Sequence, residues 1–226
     1  CWVLSVKTRA VFFAVLPPAL ALAFSGCSLW SSCDCVPYPA RDSIFGAANR
    51  GDLEMVKQLV ESGTDVNKDG RMGDRPLHQA AEGGHLDVVE YLVSKGADVR
   101  IRDECGYVPL HKAARKGRLP VVKYLLAHGA AINEATELKE TPLHEASANG
   151  HAETVAWMID HGADRHAKNS DGRQPVDLAI IKGHVATVKL LLHGGADFRG
   201  HKAYANELLH TAAGAGGAEI AGFLLD

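Results

Sequence analysis

The sequence predicts an all-α solenoid, in which paired antiparallel helices stack in a row and are joined by extended links. Three observations point there. Prolines stand at positions 76, 109, 142 and 175, at intervals of 33 residues. A fixed period of that length marks a supersecondary unit that must stack on copies of itself to bury its apolar face. Two glycine columns keep the same ruler, one at 51, 84, 117, 150, 183 and 216 and the other at 63, 96, 129, 162 and 195. Such glycines suit helix ends that turn left-handed. Between the two columns, Leu86, Val88, Val89, Leu92 and Val93, and again Leu119, Val121, Val122, Leu125 and Leu126, commit one helix face to burial.

The elements of a unit follow in order. Proline opens the first helix, where its missing N–H is harmless and its fixed φ suits the first turn. Small pairs (Ala80-Ala81, Ala113-Ala114, Ala146-Ser147 and Ala212-Ala213) keep that helix thin, so two helix layers can approach closely. The first glycine stops it, the second helix follows, and the second glycine closes that helix before an extended link. A capping threonine precedes proline only at Thr141, with Arg75, Val108 and Gln174 at the other corners. A lost side-chain cap costs about 1 kcal/mol, so the corner at Thr141 is expected to be the best ordered.

The strings Pro-Leu-His-x-Ala-Ala, Gly-His-x-x-x-Val and Gly-Ala-Asp-Val resemble ankyrin repeats. The resemblance covers Asp42 to Asp226 as six units: 42–69, 70–102, 103–135, 136–168, 169–201 and 202–226. The end units are the most divergent, as caps of a stack should be. Arg165-His166 and Phe198-Arg199 depart from the family's apolar-then-asparagine ending and are expected to alter the links that follow them. The resemblance implies that the links are β-hairpin-like loops, and that the chain is a non-enzymatic module that binds a protein through its hairpin tips and the exposed side of its first helices, which together form a concave face.

The first forty or so residues read as an address. Lys7 and Arg9 precede Ala10 to Phe24, an uncharged run of fifteen residues containing Pro17-Pro18. That run is shorter than the roughly 20 residues a membrane-spanning helix needs, and it fits the hydrophobic part of a secretory signal. Phe24-Ser25-Gly26-Cys27 resembles the lipobox of bacterial lipoproteins, although Phe24 departs from the commoner leucine. The resemblance implies a signal peptide at 1–26, lipidation of Cys27 and a tether at 27–41, and Ser28 implies sorting to an outer membrane, facing the periplasm. A plain cleaved secretion signal, an uncut anchor and a soluble intracellular adaptor remain as alternatives. Cys33 and Cys35 could pair with each other or with another chain in an oxidising compartment. Of the five cysteines only Cys105 lies inside the repeats, so neither a disulfide nor a structural zinc framework is expected to hold the fold.

Composition and motif content argue against several functions. A net charge of −3 and 6% aromatic residues speak against a nucleic-acid binder. His78, His111, His144 and His210 share one column and His85, His151 and His184 another. Side chains spread along a rod serve the scaffold, whereas metal ligands converge on a point. His128 and His161 fall at the ends of second helices, where a cation suits the dipole. No nucleophile elbow, phosphate loop or zinc-protease helix is present, so no catalytic residue, metal site or cofactor is expected. A redox or hydrolytic role built on Cys33 and Cys35 ranks last. Trp157 shares a column with Tyr91 and Tyr124, which reads as a partly covered ring stack on the second-helix layer. The basic run Lys112, Arg115, Lys116, Arg118 and Lys123 adjoins Glu82, Glu137 and Glu140, which favours a mixed solvated surface over a basic patch.

What the repeat leaves unexplained is the candidate partner surface. At the hairpin tips it comprises Arg71, Met72, Asp74, Glu104, Tyr107, Glu137, Leu138, Glu140, Asp171, Arg173 and Tyr204; on the helix side, Arg115, Lys116, Asn149 and Lys182. Tyrosine and arginine are the usual interface anchors, which singles out Tyr107, Arg115 and Arg173. Met72 and Leu138 are apolar residues expected at solvent-facing tips. The expected assembly is a monomer that engages a protein partner, with the membrane reached through the N-terminal lipid.

Overall fold

The computed structural model describes residues 43–193. Ten α-helices lie in that span: α1 (Ile44–Arg50), α2 (Leu53–Glu61), α3 (Pro76–Gly83), α4 (Leu86–Ser94), α5 (Pro109–Arg115), α6 (Leu119–Ala127), α7 (Pro142–Ala148), α8 (Ala152–Asp160), α9 (Pro175–Ile181) and α10 (Val185–His193). Odd-numbered helices stack on one another as one layer, and each pairs with the even-numbered helix that follows it. Proline occupies the first turn of α3, α5, α7 and α9, as its fixed φ predicts.

The small pairs at 80–81, 113–114 and 146–147 do what their size predicts, whereas Ala212-Ala213 lies outside the described residues. Ala47, Ala48, Ala80, Ala81, Ala113, Ala114, Ala146 and Ser147 are fully buried between neighbouring first helices. Leu77, Leu110, Leu143 and Val176 fill the space between the layers, with Val88, Val89, Leu92, Val121, Val122, Leu125, Val155 and Met158 on the other side. Each such aliphatic side chain contributes about 1.5–3 kcal/mol by leaving water.

Glycine at the end of a first helix serves two needs at once. Gly117 has φ of 64°, a region that side chains other than glycine enter at roughly 1–2 kcal/mol. A Cβ there would also lie 2.5 Å from Nδ1 of His151, which seats on it from the next unit.

The histidine columns turn out to be inter-unit fasteners. Nδ1 of His78, His111 and His144 accepts the N–H of Arg75, Val108 and Thr141 at 3.1, 3.2 and 3.1 Å. On the opposite side of each ring, Nε2 donates to the carbonyls of Tyr107, Glu140 and Arg173 in the next hairpin, at 3.0, 3.0 and 3.1 Å. Asp177 takes over the first of these bonds, accepting from Gln174 N–H at 2.7 Å. The second column points backwards: Nε2 of His85, His151 and His184 donates to the carbonyls of Asn49, Arg115 and Ala148. Thr141 corrects one expectation, because its hydroxyl bonds His144 Nδ1 at 2.9 Å and does not cap the helix itself. Histidine supplies the corner bond at Arg75, Val108 and Thr141 alike, and Asp177 supplies it at Gln174.

Hairpins between units close on themselves and lean on one another. Asp103, Thr136 and Asn169 each donate N–H to the carbonyl four residues on, at 2.9 Å. Glu104 N–H donates to the Met72 carbonyl and Ser170 N–H to Leu138, both at 2.8 Å. No strand is assigned among the described residues, yet the hairpin-like ladder is there. Its left-handed column reads Gly73, Gly106, Lys139 and Gly172, with φ of 72°, 81°, 57° and 76°. Farther along, Asn67 and Asn133 stitch the links between units. Asn133 donates to the Gly162 carbonyl at 3.1 Å and accepts from Asp164 N–H at 2.8 Å. Arg100 replaces asparagine in that column and keeps one bond, to the Gly129 carbonyl at 2.7 Å.

Candidate functional site

The candidate partner residues divide by their burial. Arg71, Met72, Glu104, Glu137, Leu138 and Asp171 at the tips, and Lys116, Asn149 and Lys182 on the helix side, are exposed. Met72 and Leu138 stand out, with 38% and 58% of their surface in water despite being apolar. Tyr107, Arg115, Glu140 and Arg173 are half-buried. Asp74 is buried, and its carboxylate accepts from Gln79 Nε2 at 2.6 Å; Gln79 in turn accepts from Asn49. Cys27 and Tyr204 lie outside the described residues.

The half-buried group is held by a set of internal contacts. Lys112, one turn into α5, pairs with Asp103 at 3.3 Å, with both side chains less than a tenth exposed. Its ammonium also sits 5.0 Å from the centre of the Tyr107 ring, within cation–π range. Burial works against the Lys112 charge, but the Asp103 and Asp74 carboxylates more than offset it and hold its pKa above the ordinary value. The Tyr107 ring stands edge-on to His111, and its hydroxyl donates to Glu140 Oε2 at 3.4 Å. Asn169 Nδ2 donates to the other Glu140 oxygen at 3.4 Å. Arg115 Nε lies 3.7 Å from Glu145 Oε2, and Lys116 pairs with Glu82 at 3.3 Å.

Three members of the basic run are therefore matched by acids, but only Glu82 is one of the acids expected beside them, and Lys112 is buried against Asp103 where a solvated surface was expected. Tyr107 and Arg115 are also held by internal contacts, so truncating either one would disturb the scaffold as well as the surface. Burial raises the Tyr107 pKa, and the Glu145 and Glu140 carboxylates add to that. Burial likewise lifts Glu145 to about 7, against the pull of Arg115 and with the help of Glu140. His111 is lowered to about 4 by burial, and its ring nitrogens are both satisfied by a neutral ring.

On the second-helix layer, Tyr91, Tyr124 and Trp157 are partly covered, as their shared column predicted. The cover is not another aromatic residue of the column. Tyr124 stacks on His128 at 3.9 Å and Trp157 on His161 at 3.7 Å, while each histidine Nδ1 donates to the carbonyl of its aromatic partner at 2.8 Å. Lys123 lies 5.6 Å from the centre of the Trp157 ring. An aromatic residue followed by histidine four positions on, repeated one unit later, was the available signal for these pairs. The buried polar row Gln79, Lys112 and Glu145 was legible in the same way, as polar residues recurring one turn after proline.

Among the described residues, no three His, Cys, Asp or Glu side chains converge as metal ligands would. No described helix is long and apolar enough to cross a membrane. The family model for ankyrin repeats, in three copies, matches residues 44–136 and 128–202. No curated protein matches the chain.

Proposed function

The chain belongs to the ankyrin-repeat family, and from that premise we propose that it is an exported, membrane-tethered module that binds a protein partner through its concave face. Ankyrin repeats point to protein–protein interaction. The observation that carries the choice of binding surface is a division of labour between columns. Residues that recur from unit to unit fill the core and make the corner bonds, while among those that change Arg71, Met72, Glu104, Lys116, Glu137, Leu138, Asn149, Asp171 and Lys182 are exposed. Buried ionisable groups with shifted pKa values are tied into scaffold contacts, which favours a non-enzymatic role. We read the chain as a monomer that needs no cofactor.

Export rests on Lys7, Arg9, the apolar run to Phe24 and the lipobox-like Phe24-Ser25-Gly26-Cys27. In this reading Cys27 carries the lipid, residues 27–41 are the tether, and the repeats face the periplasm from a bacterial outer membrane. The test is a Cys27→Ala variant, fractionated and weighed beside the wild type. Wild-type protein in the membrane fraction, with a cleaved and lipid-bearing mass that the variant lacks, supports the proposal. A wild-type chain found soluble in the cytoplasm at its full unmodified mass would establish the intracellular adaptor instead.

A further inference from the structure

We propose that the hairpin tips of the second, third and fourth units form a ledge for an amphipathic partner helix, which carries two apolar residues about three turns apart and basic residues between them. This rests on the reading that the tips bind a protein, and adds the chemistry of the segment they take. Met72, Cys105 and Leu138 stand at successive tips on the 33-residue ruler. Met72 and Leu138 are 38% and 58% exposed, and Cys105 between them is half-buried. One unit further on the same column holds Asp171, which ends the apolar row.

The tips are joined to one another through their backbones. Glu104 N–H donates to the Met72 carbonyl at 2.8 Å, Glu137 N–H to that of Cys105 at 3.4 Å, and Ser170 N–H to that of Leu138 at 2.8 Å. In the third unit every N–H from Asp103 to Tyr107 is committed, within the hairpin, to the tip before it or to the Asp103 carboxylate. A partner strand therefore finds few backbone groups to pair with, and recognition falls to side chains. An α-helix satisfies its own backbone and offers side chains alone. Packed helices lie about 8–10 Å apart, and each unit steps by that spacing, so Met72 and Leu138 are separated by about 16–20 Å. A helix rising 1.5 Å per residue covers the shorter of these distances in about 11 residues. Positions i, i+4, i+7 and i+11 then share one face.

Charge completes the pattern. The exposed charged residues beside the row run Arg71, Glu104, Glu137 and Lys139. Glu104 stands on the middle tip, and Glu137 leans back on Cys105 through its N–H, so both acids fall between the two apolar anchors. Arg71 precedes Met72 and Lys139 follows Leu138, which leaves a base at each end. A complementary helix has apolar side chains at i and i+11 over Met72 and Leu138. It has Lys or Arg at i+4 and i+7, facing the two acids, and acidic residues towards its ends. The same two tips hold strained backbone: Met72 and Lys139 are the non-glycine residues with left-handed φ among the described residues, at 56° and 57°. Residues strained in this way cluster at ligand-contacting sites.

The test selects helices against the full chain. A phage-displayed library of alanine-based peptides about 18 residues long, enough to hold a helix, is randomised at i, i+4, i+7 and i+11 and panned at low salt. Selected peptides are then measured by calorimetry against wild type and variants. Apolar residues should be enriched at i and i+11, and Lys or Arg at i+4 and i+7. Met72→Ala and Leu138→Ala should each weaken a selected peptide about tenfold. Glu104→Lys should turn the central preference from basic to acidic. An empty selection, a selection without that pattern, or binding unchanged by Met72→Ala and Leu138→Ala overturns the ledge. Undiminished binding of a selected peptide with proline at its centre does the same, because an extended segment tolerates proline there and a helix does not. A specific protein captured from envelope extracts through the tips, with none of this pattern selected, leaves protein binding standing and removes the helix alone. Should a variant fail to fold in a thermal melt, the wild-type selection decides the matter.

Discussion

Lowering the pH from 7 to 4 should weaken the stack at His111 by an amount the structure allows to be worked out. In the folded chain Nδ1 must accept from Val108 N–H while Nε2 donates to the Glu140 carbonyl. A second ring proton would point at a backbone N–H, and the side chain is fully buried. Burial, the largest cause, lowers the pKa from 6.5 to about 4. The unfolded chain therefore binds more protons than the folded one between these values. The stabilisation is fully present above pH 6.5 and is lost as pH falls towards 4. At 1.36 kcal/mol per unit, the shift corresponds to about 3 kcal/mol. The assay is urea unfolding by circular dichroism, from pH 7 to pH 4, on wild type and His111→Gln. Glutamine can donate and accept but does not titrate. The variant should start less stable, and its stability should fall by about 3 kcal/mol less than that of wild type across the window. Equal falls in both proteins would refute the reasoning. Glu145 works in the opposite direction, because a raised carboxyl pKa stabilises below the ordinary value and that contribution is lost as pH rises through about 7. Comparing the two proteins cancels its contribution.

Further expectations concern the backbone columns. Lys139→Gly should raise stability by about 1 kcal/mol, read from the urea midpoint, because lysine there sits in a left-handed conformation that the other units give to glycine. Gly117→Ala should cost more than Gly129→Ala. Both have positive φ, of 64° and 96°, but a Cβ at 117 meets the His151 ring at 2.5 Å while one at 129 finds nothing nearer than 3.6 Å. The second should lose only the strain, about 1–2 kcal/mol, and equal losses would show that the ring contact is unimportant. Asn133→Ala should cost about 1–3 kcal/mol, since it removes two bonds between units. A loss within error of zero in thermal melts would make those bonds dispensable.

How much of this was legible in the sequence depends on whether a feature lives within one column or between columns. Helix ends, the small interlayer residues and the scaffold role of histidine all repeat on one ruler, so they could be read directly. Which column touches which could not. His111 reaches a carbonyl 29 residues ahead, His151 one 36 residues behind, and Tyr107 a carboxylate 33 residues ahead. These offsets are set by the stacking geometry, which no single residue announces. That is why Tyr107 and Arg115 read as free anchors in the sequence but are half-buried partners of Glu140 and Glu145 in the structure. Thr141 shows the same limit on a smaller scale. Its position suggested a helix cap, and only the ring of His144 beside it explains where the hydroxyl goes.

The central claim is that exposed tip residues, and not the buried contacts, carry partner recognition. The most direct measurement is crosslinked capture from envelope extracts with wild type and a Met72→Ala, Leu138→Ala double variant, followed by mass spectrometry and a thermal melt of each bait. The account predicts a specific protein captured by wild type and lost from a variant whose melting temperature is unchanged. Undiminished capture by the double variant would contradict it.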